Sequence, residues 1–172
     1  MTKCNVTIAT LAMVLNALHL DPDRLWKGPW RWFSEDMFDC CTPLSVAKKQ
    51  GIVFEEFICL AKCNGANITS FRMKKSVEKV NDLDSFRQKV IEICAQERII
   101  LVCNYSRKGL GQTGDGHFSP IGGYHKEDDR VLILDVARFK YPPHWVSLSV
   151  LYEAMFLLDS STNQPRGIIL HI

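Results

Sequence analysis

A chain of 172 residues, 47% hydrophobic and 23% charged, has the size and composition of one ordinary globular domain and excludes a disordered or fibrous class. Its net charge of +2 comes from scattered basic residues, so no nucleic-acid footprint stands out. The apolar run after Lys3 is broken by Thr7, Thr10 and Asn16 and carries no cleavage site, which fits neither a signal peptide nor a membrane span. A cytoplasmic chain with no membrane partner is expected. Seven cysteines without a secretory signal then read as free thiols, metal ligands or catalytic groups rather than a disulfide framework.

From Val6 to Leu18 apolar residues fall on every face, with Asn5 as a candidate cap and Asp21-Pro22 as a stop, which predicts a buried helix at the centre of the domain. WKGPWRWFSEDMFDCC follows, and its three tryptophans and two phenylalanines should wrap against the core. Thr42-Pro43 marks the start of a short helix from Leu44 to Lys49 that Gly51 ends. IVFEEFI from Ile52 is a strand candidate. A third helix is expected from an Asp82 or Asp84 cap to Cys94, and IILVCNY from Ile99 is apolar and β-branched enough for a central strand. Beyond His117 come strand signals in HFSPIGGY and VLILDVARF, a Ser147-capped helix to Leu158, and a last strand in GIILHI. Helices first and strands after predict an α+β fold in one domain over 1–172.

Two charged side chains stand out against apolar surroundings. Asp135 ends an otherwise apolar strand and must find a partner if buried; the ordinary alternative is a turn cap. His117 follows the glycine-rich turn TGDG and opens its own strand. Adjacent strands that present His117 and Asp135 at neighbouring levels would hold the imidazole in one tautomer, which builds a general base for a thiol or hydroxyl. A cysteine nucleophile for such a pair belongs at the N-terminus of a buried helix, where the dipole lowers the thiol pKa. Cys4 is the cysteine near that helix.

The strings WKGPWRWF, DCC, GHFSPIGGY and LILDVARFKYPPHW resemble the catalytic domain of the phytochelatin synthases, the glutathione gamma-glutamylcysteinyltransferases, over nearly the whole chain. The resemblance implies a papain-like fold, with the helical part and its buried central helix first and an antiparallel sheet after. It implies a Cys, His, Asp triad that cleaves glycine from glutathione, holds the gamma-glutamylcysteinyl unit as a thioester, and transfers it to another glutathione or a phytochelatin. No tightly bound cofactor is implied. Heavy-metal ions, cadmium or zinc, would act as activators or as glutathione thiolates, for metal detoxification. The partners implied are glutathione and its metal thiolates, with a homodimer allowed. His117 and Asp135 match the family's catalytic pair, and Arg138, three residues past Asp135, suits a substrate carboxylate or else a surface ion pair.

The nucleophile departs from the pattern. The family string AYCGLASLSVVLNAL places its cysteine ten residues before the asparagine of LNAL, and ten before Asn16 stands Val6. Cys40, Cys41, Cys59 and Cys63 keep the family spacing from Val6, so the register holds and Cys4 lies two residues early. Two residues of extended chain span roughly 7 Å, too far for a sulfur that must sit about 3 Å from its base. The glutamine that donates to the oxyanion in the family would precede Met1, and both ends read as trimmed, so weak or absent turnover is expected. The alternatives are a catalytically silent relative that binds glutathione or metal thiolates or partners an intact synthase, and hydrolysis of glutathione conjugates.

Cys40, Cys41, Cys59 and Cys63 are candidate ligands for soft metals such as cadmium, against the plainer reading of buried inert thiols. Adjacent Cys40 and Cys41 would point apart in an extended chain. Cys94 and Cys103 are expected in the core, and His19, His125, His144 and His171 show no ligand spacing.

Overall fold

A computed structural model describes residues 3–74 and 79–171; the side chains of 3–5, 48, 79–82 and 171 also lie outside the described residues. Chain order is α1 (Lys3–Ala17), α2 (Leu44–Gln50), α3 (Phe54–Cys63), β1 (Ile68–Arg72), α4 (Lys79–Cys94), β2 (Ile100–Ser106), β3 (Gly116–His125), β4 (Arg130–Ile133), β5 (His144–Ser147), α5 (Leu148–Phe156) and β6 (Gly167–His171). Six strands form one sheet in the order β1-β6-β2-β3-β4-β5, and every neighbouring pair is antiparallel. The α+β expectation is met.

The sheet is covered on both faces because its central strands alternate apolar residues to each side. Val102, Phe118 and Ile169 face α1, α2 and α3, where Leu11, Leu15, Phe57 and Leu60 are buried. Leu101, Tyr105, Ile121 and Ile168 face the opposite layer, where Val90 of α4 and Leu151 and Met155 of α5 fill the core. Phe118 is the hinge between sheet and first layer, stacked on Phe57 at 4.7 Å between ring centres.

Helix α1 forms but starts at Lys3, so that Asn5 lies inside it and does not cap it, with Ile8, Leu11, Val14 and Leu15 buried and Thr7 and Thr10 buried beside them. The strand expected from Ile52 is helix α3 instead. Phe54, Phe57, Leu60 and Ala61 all face the core, a helical spacing hidden inside a short apolar run. Glu56 starts the helix: its carboxylate accepts from the Val53 N–H at 2.9 Å, as in the second half of a capping box. Helix α4 begins at Lys79, ahead of both aspartates expected to cap it, and Asp84 instead pairs with Arg87 one turn on. Ser147 precedes α5 without capping it, its hydroxyl meeting Ser149.

The aromatic stretch meets its expectation only in part. Phe33, Met37 and Phe38 are buried, whereas Trp30 and Trp32 are 57% and 43% exposed. The tryptophans pack on one another, Trp32 against Trp30 at 5.3 Å and Trp26 at 5.6 Å, which hides ring area without reaching the core. Asn16 of α1 fastens the segment: its side chain donates to the Phe33 carbonyl at 2.9 Å and accepts from the Phe33 N–H at 2.7 Å. No helix among the described residues is long and apolar enough to cross a membrane.

Strands β1 and β6 approach so closely that Gly167 has no room for a side chain, since a Cβ there would lie 2.1 Å from the Phe71 carbonyl oxygen. Gly167→Ala should therefore lower the unfolding free energy by about 1–3 kcal/mol in urea titration, as overpacked interiors do. An unchanged midpoint would contradict that approach.

Candidate active site

His117 and Asp135 come together, 18 residues apart in the chain, because β3 and β4 are paired and the chain leaves β4 just before Asp135. The strand expected through Asp135 stops at Ile133. Past Leu134, Asp135 folds back on its own backbone, its Oδ1 accepting from the Ala137 N–H at 2.9 Å. That turn aims the carboxylate at the start of β3. His117 Nε2 lies 3.1 Å from Asp135 Oδ1, with both residues almost fully buried. An ionised carboxylate only accepts, so Nε2 carries the proton of the neutral ring and Nδ1 carries the lone pair. Tyr105, directly across from His117 in β2, braces the ring edge-on at 5.8 Å.

A third charged residue, which sequence reasoning missed, completes the cluster. Arg107 follows β2 and is buried, with Nη2 2.7 Å from Asp135 Oδ2. Oδ2 accepts no aligned hydrogen bond, so the contact is chiefly one of charge. The guanidinium also donates to Gln112 Oε1 at 2.8 Å and lies over the Tyr141 ring at 4.7 Å. Tyr141 in turn accepts from the Thr113 N–H at 2.9 Å. Arg107 thereby joins the glycine-rich turn before His117 to the segment after Asp135. Gly114 lets the turn pass: its φ is +112°, and a Cβ would sit 3.3 Å from Arg107 Cδ. The available signal was a cation at the end of an apolar strand, directly before the turn leading to His117.

Burial pushes the Asp135 carboxyl up, but the His117 hydrogen bond and charge, the Ala137 N–H and Arg107 outweigh it and bring the pKa down to about 2. Burial pushes His117 below its ordinary value, opposed by the Asp135 hydrogen bond and assisted by the Arg107 charge. At neutral pH the pair is therefore a neutral imidazole on an ionised carboxylate.

His117 lines a cavity of about 400 Å³ together with Val6 at the head of α1, Asn104, Ile52, Lys140 and Tyr141. The head of α1 is held there by Thr10, whose buried hydroxyl lies 3.1 Å from the Val6 carbonyl and 3.0 Å from the Phe118 carbonyl next to His117. Position 6 and the imidazole thus share one wall. A cavity of this size with a few convergent polar groups is an ordinary small-molecule site. Arg138 is exposed and does not line the cavity, and the side chain of Cys4 lies outside the described residues.

The four cysteines expected as inert thiols or ligands are joined in pairs, Cys40 to Cys63 and Cys41 to Cys59. Cys40, Cys59 and Cys63 are exposed rather than buried. Cys40 and Cys41 do not point apart, because the chain bends at 40–42 and turns both toward α3. Of the two expected core cysteines, Cys103 is buried and Cys94 is exposed.

The depressed values fix the pH response. Between the folded and unfolded pKa values of His117 the unfolded chain holds more protons, so stability rises with pH there and is lost as pH falls below about 6.5. Asp135, at about 2 when folded, adds a further loss below about pH 4. Urea unfolding should give a lower free energy at pH 5 than at pH 7.5, and His117→Gln should flatten that interval. The same slope in the variant would contradict a buried neutral His117.

The phytochelatin synthase family model matches residues 2–168. The chain is 55% identical over 160 residues to glutathione gamma-glutamylcysteinyltransferase 3 of Lotus japonicus, covering 93% of this chain and 32% of that protein. It is 53% identical over 163 residues to glutathione gamma-glutamylcysteinyltransferase 1 of Arabidopsis thaliana, covering 95% and 33%. To the glutathione gamma-glutamylcysteinyltransferase of Schizosaccharomyces pombe it is 51% identical over 163 residues, covering 95% and 38%. The chain thus spans about a third of the length of the curated relatives it matches. With the match running from the first helix into the last strand, the chain belongs to the phytochelatin synthase family.

Proposed function

We propose that the cavity beside His117 binds glutathione and is built for transfer of its gamma-glutamylcysteinyl unit, and that this chain as written turns over weakly or not at all. The observation that carries this reading is the His117–Asp135 contact at 3.1 Å in a cavity that Val6 also lines. In the intact reaction a thiolate at position 6, its proton taken by His117 Nδ1, attacks the carbonyl carbon of the Cys-Gly peptide bond of glutathione. The C–N bond breaks, His117 returns the proton to the glycine amine, and a thioester remains. The amine of a second glutathione then attacks the thioester, gives its proton to His117, and releases the thiol. Asp135 keeps the ring oriented and stabilises the imidazolium as it forms. Lys140, on the cavity wall, is the cation placed for a carboxylate of glutathione, and Arg138, exposed and off that wall, is the second cation we propose for one.

Valine at position 6 has no proton to give and no lone pair to attack with. The imidazole, its carboxylate and the cavity remain, so glutathione should bind without turning over. Heavy-metal ions enter this account as thiolates of the substrate, and the reaction asks for no resident cofactor.

Incubation of the chain with glutathione and cadmium should release no glycine above background, while isothermal titration detects glutathione binding. Val6→Cys should raise glycine release by at least about 10³-fold, in line with what a lost nucleophile costs other triad enzymes. In that background Asp135→Asn should remove about 10⁴ of the rate, the cost of the wrong tautomer. Glycine release by the unsubstituted chain that disappears in Cys4→Ala would overturn the account and make Cys4 the nucleophile.

A further inference from the structure

The contacts that fix Arg107 do not end at Gln112. The Gln112 amide lies 3.0 Å from Nε2 of His144, and Nδ1 of His144 lies 2.7 Å from the Pro142 carbonyl. His144 opens β5, directly across from Ile133, the last residue of β4 and two before Asp135. Gln112 is bound to Arg107 twice, its backbone N–H donating to the Arg107 carbonyl at 2.9 Å and its Oε1 accepting from Nη1 at 2.8 Å. An unbroken run of polar contacts therefore leads from the edge strand of the sheet through Gln112 and Arg107 to Asp135 and His117.

Each proton in this run has one allowed place. A guanidinium only donates, so Oε1 of Gln112 must face Arg107 and the amide NH2 must face His144. Nε2 of His144 then has to accept, which puts the proton of the neutral ring on Nδ1, where it is donated to the Pro142 carbonyl. His117 holds the opposite tautomer, with its proton on Nε2 toward Asp135. The two imidazoles stand at the two ends of one polarised network.

We infer that His144 and Gln112 are positioning residues for the His117–Asp135 pair: the His144 lone pair fixes the Gln112 amide, the amide fixes the Arg107 guanidinium, and the guanidinium holds the Asp135 carboxylate against the His117 ring. Neither side chain is on the cavity wall, so both act through Arg107. An apolar side chain at position 144 would leave the amide free to turn, and a turned amide sets its NH2 against Arg107, donor against donor.

The consequence reaches the base itself. His117 is faced by Asp135 and Arg107, by Tyr105 from β2, and by Lys140, Asp115 and Asp159 across the cavity. Arg107 is the cation whose charge lowers the His117 pKa, so a guanidinium drawn off the carboxylate lets that pKa rise. The positioning role does not depend on transfer activity, since every contact in it is made by the free chain.

The test is nitrogen-detected NMR of the full chain labelled at its histidines, read on the His144 tautomer and the His117 titration midpoint. In the unsubstituted chain neutral His144 should carry its proton on Nδ1; a proton on Nε2 would overturn the proposal. Gln112→Glu turns oxygens to both neighbours, so Nε2 of His144 should gain a proton at pH 7, and an unaltered His144 would show that the two side chains do not meet. His144→Leu removes the acceptor and should raise the His117 midpoint. His144→Gln, with a carbonyl in place of the Nε2 lone pair, should bring it back toward that of the unsubstituted chain. Equal midpoints in all three chains, or equal rises in both variants, would overturn the positioning role. If His144→Leu does not fold by circular dichroism, Gln112→Ala makes the same cut from the turn before His117 and should raise the midpoint likewise. The transfer reading enters only in a last arm: in the Val6→Cys background His144→Leu should lower kcat about 10- to 100-fold and move the acid limb of its pH profile upward. Absence of glycine release by Val6→Cys itself would sink the transfer reading, while the NMR arms still decide the positioning role.

Discussion

The buried contact between His117, Asp135 and Arg107 is the constraint around which the domain is arranged. A carboxylate removed from water costs several kcal/mol unless charge and hydrogen bonds answer it. Asp135 has both, His117 and the Ala137 N–H on Oδ1 and Arg107 against Oδ2. These partners come from three places in the chain: the end of β2, the start of β3, and the turn after β4. Moving any of them strands a charge in the interior. Pairing of β2 with β3 and β3 with β4 is therefore fixed by electrostatics as well as by apolar alternation.

The same contact sets the chemistry available. Arg107 meets Asp135 through Oδ2 while the ring meets it through Nε2 on Oδ1, so the carboxylate stays ionised. Together with burial, the guanidinium charge keeps the imidazole neutral, leaving a basic Nδ1. Thr10 then joins the head of α1 to the backbone beside His117. The imidazole, its carboxylate and the head of α1 stand together on one cavity, and the side chain at position 6 is valine. This arrangement is consistent with 50–55% identity to the transferases, since core packing and the charge cluster do not depend on which residue fills one cavity-lining position of a helix.

Much of this was readable in the sequence where residue type and surroundings disagree. His117 and Asp135 stood out as polar groups in apolar strands, and β2 and β6 were plain from their β-branched residues. What was not readable depended on partners distant in sequence. IVFEEFI is a short apolar run with β-branched residues at both ends, and only the buried Phe54, Phe57, Leu60 and Ala61 reveal a helix. Arg107 went unremarked because its partner lies 28 residues ahead. The tryptophans looked like core because self-stacking on a surface loop leaves no mark in composition. Cys40 and Cys41 looked divergent because the bend between them is set by α3 and not by their neighbours.

The central claim is that His117 is a neutral base held through Nε2, and nitrogen-detected NMR of the chain labelled at its histidines measures this directly. The account predicts that at pH 7 the His117 ring carries its proton on Nε2, with Nδ1 unprotonated, and that its titration midpoint falls below the ordinary histidine value of about 6.5. A proton on Nδ1 in the neutral ring, or a midpoint above that value, would contradict it.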